Sequence, residues 1–124
     1  MSGKRGFTLI ELLVVLAIIG VLLMIAAPRY FSSVDRSKEA VLRQNLHQMR
    51  EAIQQYYADK GKYPDKLESL VTGRYLREVP LDPVTERTDT WIVLPPPDAE
   101  QSGVYDVRSG APGSGKDGTP YKDL

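Results

Sequence analysis

Residues 7–27 read Phe7-Thr8-Leu9-Ile10-Glu11-Leu12-Leu13-Val14-Val15-Leu16-Ala17-Ile18-Ile19-Gly20-Val21-Leu22-Leu23-Met24-Ile25-Ala26-Ala27. From Leu12 onward the stretch carries no charge and no strongly polar side chain, and nothing else in the chain is comparably apolar. As a helix it is about 30 Å long, which matches the hydrocarbon core of a bilayer. Lys4 and Arg5 precede it. Basic residues at that end hold an N-terminus in the cytoplasm and place the residues after Pro28 on the far side.

Glu11 interrupts the apolar run. A carboxylate at the centre of a membrane helix costs about 2.5–3.5 kcal/mol, and less near an end, so an ionisable group here needs a partner and a purpose. No Lys or Arg lies between Arg5 and Arg29. A cut after Gly6 would supply the cation, because the new α-amino group of Phe7 would stand four residues before Glu11. A secretory signal peptide explains the basic start and the apolar core, but Ile25 sits where a small residue is wanted and Pro28 follows Ala27. A plain single-span anchor leaves Glu11 unexplained, and a buried core helix requires a larger soluble domain around it.

The remainder of the chain bounds the function by exclusion. At 124 residues there is room for one small domain, and 16 basic against 16 acidic residues give no pull toward nucleic acid. Cysteine is absent, which removes disulfides, thiol nucleophiles and the usual structural zinc sites. His47, the single histidine, has no second His or Cys as co-ligand and reads as a residue at the helix surface or core edge. No Ser/His/Asp, metal or Gly-rich phosphate constellation supports an enzyme.

Beyond Pro28, which together with Gly20 marks an expected kink or local unwinding, Val34, Val41, Leu42, Leu46, Met49, Ile53, Tyr56 and Tyr57 recur at three- and four-residue steps as one apolar stripe. Gly61 is a suitable stop, so one long helix is the simplest account. Asp65 and Glu68 have capping-box spacing for a two-turn helix over Lys66 to Val71, ended by Gly73. Pro80-Leu81-Asp82-Pro83 is a rigid extended turn. Thr90 to Leu94 and Val104 to Val107 read as strands of a hairpin with a long connection, which need the helix stripe to bury a core.

The segment Lys4-Arg5-Gly6-Phe7-Thr8-Leu9-Ile10-Glu11-Leu12-Leu13-Val14-Val15 closely resembles the processing and assembly segment of type IV pilins and type II secretion pseudopilins. That resemblance implies cleavage after Gly6 by a prepilin peptidase on the cytoplasmic face and N-methylation of Phe7. It also implies that Glu11 meets the N-terminal amine of an adjacent subunit, and that the helix around Pro28 melts locally on packing into a filament. A methylated amine stays cationic, so the charge pair survives the modification.

Tyr63-Pro64, Tyr75-Leu76, Val79-Pro80, Asp82-Pro83, Trp91 and Gly103-Val104-Tyr105-Asp106 resemble the globular domain of the major, G-type pseudopilins. Type IV pilins usually close their C-terminal region with a disulfide, which a chain without cysteine does not form. The implied fold is α+β, a long N-terminal helix, transmembrane then amphipathic, packed on a small antiparallel sheet. Its parts are a leader at 1–6, a transmembrane and assembly helix at 7–28, and a periplasmic globular domain at 29–124. The implied function is that of a structural subunit: a homo-oligomeric helical filament, single-pass in the inner membrane before assembly, extending a periplasmic pseudopilus that works as a piston or screw in protein export. Its partners would be the prepilin peptidase, minor pseudopilins and the inner-membrane secretion platform, with no nucleic acid. The alternatives are a type IV or competence pilin subunit and a membrane-anchored periplasmic binding module.

By composition the tail from Ser109 to Leu124 is a flexible loop. Similar pseudopilins hold this region with Ca²⁺, and the resemblance names Asp106, Ser109, Asp117 and Asp123 as candidate ligands. This chain departs from the family's Ser-Leu-Gly-Ala-Asp-Gly by carrying Ser109-Gly110-Ala111-Pro112-Gly113, and from its terminal Trp by carrying Leu124.

Overall fold

The structure, a computed structural model, describes residues 6–124; Lys4 and Arg5, and with them most of the expected leader, lie outside the described residues. The elements in order are α1 (Leu9–Lys60), α2 (Glu68–Thr72), β1 (Trp91–Leu94), β2 (Asp106–Ser109) and a closing 3-10 turn, Tyr121–Asp123. The fold is α+β, as the sequence implied. The chain divides into two compact units, Met1–Val34 and Asp35–Leu124.

In the first unit every large apolar side chain from Leu9 to Ile25 is exposed. A segment apolar on all faces suits a hydrocarbon or subunit environment. The expected unwinding between Gly20 and Pro28 is not present in the isolated chain: residues 20–28 are helical throughout, with Pro28 inside α1.

The second unit has its own core. Leu42, Leu46, Met49 and Ile53 of α1 are inaccessible to solvent, and Leu67, Leu70, Trp91, Val104 and Val107 complete the cluster. Steps of four, three and four residues keep one line of α1 facing inward. Val41 and Tyr57, both assigned to the stripe from sequence, are instead 48% and 37% exposed. Each directly follows or precedes a stripe residue and is rotated about 100° from it. Tyr57 stacks on Tyr63 with ring centroids 4.4 Å apart, and Tyr63 meets Tyr105 edge-on at 5.4 Å. Gly61 ends the helix as anticipated, at φ +70°, its N–H donating to the Tyr57 carbonyl at 2.8 Å.

α2 is shorter than expected and has no side-chain cap; Leu67, not Asp65, occupies the N-cap position. The N–H groups of Ser69 and Leu70 donate to the carbonyls of Lys66 and Leu67, three residues back, so the entering turn satisfies itself and the Asp65–Glu68 box is not formed. Gly73 does close α2, but with right-handed geometry, and the left-handed residue is Arg74 at φ +65°. β1 and β2 pair antiparallel with Trp91 opposite Ser109 and Leu94 opposite Asp106. β2 begins two residues later than the pattern suggests, because the Val104 N–H donates to the Pro64 carbonyl at 2.7 Å.

Candidate processing and assembly site

Gly6 and Phe7 precede the first turn of α1, and Phe7 is 83% exposed. A methyl group added at Gly6 would meet no atom within 4 Å. The peptide bond after Gly6 therefore lies in open, non-helical chain, the form that a peptidase requires of its substrate. Any demand for glycine at this position comes from the enzyme, not from this fold.

Glu11 has a partner within the uncut chain that the sequence reading missed. The Glu11 N–H donates to the Thr8 hydroxyl at 3.1 Å, and the Thr8 N–H donates to Glu11 Oε2 at 3.3 Å. The Leu12 N–H donates to the Thr8 carbonyl at 3.1 Å. This is a reciprocal capping box, which satisfies two donors that the start of a helix otherwise leaves open, and it sets a carboxylate at the positive end of the helix dipole. The signal was the Thr-x-x-Glu spacing at 8–11, read only for its charge. Of the two carboxylate oxygens, Thr8 engages Oε2.

The residues named for calcium are not brought together. Asp106 Oδ1 accepts from Arg50 Nε at 2.9 Å and from the Val107 N–H at 2.8 Å. The Ser109 hydroxyl is fully buried, donates to Asp82 Oδ2 at 2.5 Å and accepts the Ala111 N–H at 3.1 Å. Asp117 accepts the Thr119 N–H at 3.0 Å. Asp123 lies in the closing 3-10 turn. Among the described residues no group of three or more His, Cys, Asp or Glu side chains stands close enough to hold a metal ion. The donor set does not fit calcium as proposed from the resemblance.

Asp82 is the polar centre that the sequence did not disclose. It is inaccessible to solvent, and besides Ser109 its carboxylate accepts the N–H groups of Val84 at 2.8 Å and Thr85 at 3.4 Å. Around it Trp91 Nε1 donates to the Pro80 carbonyl and Asn45 to the Leu81 carbonyl, each at 2.8 Å, so the proline turn is tied to both α1 and β1. His47 is exposed and pairs with Glu51 at 3.1 Å.

The Prokaryotic N-terminal methylation motif matches residues 1–27. The type II secretion system core protein G of Pseudomonas aeruginosa is 34% identical over 96 residues, covering 64% of this chain and 68% of that protein. The chain belongs to the type II secretion core protein G family. The core protein G of Klebsiella michiganensis is 29% identical over 138 residues, spanning 98% of this chain and 90% of that one. Fimbrial protein EcpC of Eikenella corrodens is 38% identical over 81 residues, 61% of this chain. The chain spans about half the length, or less, of that protein and of the type IV major pilins it also matches. No solved structure matches this core protein G relative.

Proposed function

We propose that this chain is a structural subunit of a type II secretion pseudopilus, assembled into a helical filament through its N-terminal helix, and that it performs no catalysis. The observation that carries this reading is a carboxylate, Glu11, fixed at the head of an exposed apolar helical run, residues 12–27, four residues after an open Gly6–Phe7 bond. Cleavage there creates a cation four residues before Glu11, in a stretch with no Lys or Arg between Arg5 and Arg29, and a filament brings the amine of one subunit to the carboxylate of the next. Residues 1–6 serve as leader, 7–28 as membrane and assembly helix, and 29–124 as the domain on the periplasmic side. Pro28 lacks a backbone donor, so the helix around it is the cheapest place to unwind on packing. The prepilin peptidase, minor pseudopilins and the inner-membrane secretion platform are the partners that follow from this role.

A type IV pilin role is the second reading, supported by the resemblance to EcpC and the major pilins. The near full-length alignment with a core protein G favours the first. Overproduction with the secretion machinery separates assembly from anchoring: filaments labelled by antibody against residues 35–124 are expected in electron micrographs. A chain that remains wholly in the membrane fraction, with no filaments, overturns the proposal.

A further inference from the structure

The tail loop of the second unit is ordered around one residue of α1. Its backbone closes on itself, with the Gly115 N–H donating to the Thr119 carbonyl at 2.8 Å, the Tyr121 N–H to the Gly113 carbonyl at 3.2 Å, and Ser114 bridged to Pro120. Glu39 reaches into that loop. Its side chain is only 14% exposed; Oε1 accepts from Arg43 at 3.0 Å, and Oε2 accepts the Lys116 N–H at 3.4 Å. A methyl group at Gly115 would fall 2.8 Å from Glu39 Oε2, so this glycine permits the close approach of the carboxylate. Arg43 also faces the Asp117 carboxylate at 4.0 Å. Arg43 thus stands between two carboxylates, the place in which a bound cation would otherwise relieve their repulsion.

We propose that the loop 113–119 is held without a metal ion, with Glu39 and Arg43 as the residues that position it. The carboxylates that a calcium site would need are committed elsewhere: Asp106 to Arg50, Asp117 to Thr119 and Arg43, while Pro112 offers no side-chain oxygen. The ends of the tail are fixed independently, at one side by Ser109 on Asp82 and at the other by Tyr121 and Leu124 packed on the core. Only the middle depends on the polar side chains Glu39 and Arg43 and not on the buried core, which makes loop order separable from the stability of the unit as a whole.

Hydrogen exchange of the full-length chain in detergent, read by mass spectrometry on peptides spanning 113–119, tests this directly. Exchange in the parent protein is expected to be the same in millimolar Ca²⁺ and in chelator. Glu39→Gln and Gly115→Ala are each expected to speed exchange of that peptide several-fold, in either buffer, while the peptides over 42–53 stay protected. Arg43→Gln serves as a third variant that leaves the buried face of α1 intact, and it is expected to act in the same direction. Slower exchange of the parent loop with Ca²⁺ than with chelator overturns the proposal, as does unchanged exchange in Glu39→Gln and Arg43→Gln.

Discussion

Thr8 and Glu11 hold each other at the head of α1, each side chain accepting the other's backbone N–H, at 3.1 and 3.3 Å. Glu11 therefore has two separable duties, closing its own helix and offering charge to an amine. Thr8→Val removes the first alone, and loss of such a cap costs about 0.5–2 kcal/mol. Glu11→Ala removes both while relieving the membrane of a carboxylate. Filament yield in electron micrographs is expected to fall modestly for Thr8→Val and Thr8→Ser to restore it, whereas Glu11→Ala inserts at least as well as the parent and assembles poorly. Parental filament yield from Glu11→Ala would remove the charge pair from the account.

Gly6 has empty space where a side chain would go. Gly6→Leu is therefore expected to leave the fold and membrane insertion intact while abolishing processing. On a gel the variant should run at the mobility of the uncut chain, and a normally shortened band would show that the cut lies elsewhere.

Asp82 offers a test of the second unit. Its carboxylate accepts three donors in a site closed to water, and a buried donor left without a partner costs about 1–3 kcal/mol. Asp82→Ala is expected to destabilise the unit by roughly 2–4 kcal/mol, comparable with truncating a core leucine such as Leu46. Ser109→Ala should cost less, because Asp82 keeps the two N–H donors of the turn. Urea unfolding followed by Trp91 fluorescence reads both, and equal stability of Asp82→Ala and parent would contradict this.

How far such a site was legible differs from residue to residue. Leu42, Leu46, Met49 and Ile53 were readable because a 3.6-residue period survives any tertiary context. The membrane run was readable from its composition. The Asp82–Ser109 bond joins residues 27 apart, which no local pattern encodes. Of the capping-box spacings at 8–11 and 65–68, only the first is formed. At the second, the helix starts two residues later, with Leu67 at the N-cap and the Ser69 and Leu70 N–H groups donating to the Lys66 and Leu67 carbonyls, so Asp65 does not stand at the cap. β2 was placed two residues early because Val104 and Tyr105 have strand propensity, yet the Val104 N–H belongs to Pro64.

Acid should loosen the tail loop. The Asp117 carboxyl is held below its ordinary value of 3.8, first by the Thr119 N–H and also by the Thr119 hydroxyl and Arg43, against the opposing effect of partial burial. A lowered folded pKa contributes stability that is complete above the unfolded value and is lost as the pH falls through the folded one. Protection of the Thr119 amide is therefore expected to decline only below about pH 4 in the parent. Asp117→Asn, which keeps the acceptor and does not titrate, should lose that component of the decline. An identical pH profile for the variant would assign the acid response to another group.

The most direct test of the central claim is the mass of the mature protein extracted from membranes. The mature chain is expected to begin at Phe7 and to carry one additional methyl group on its amine, so that the cation facing Glu11 is the product of processing. A chain that retains residues 1–6, or one cut after Ala27 and so lacking Glu11 altogether, would contradict it.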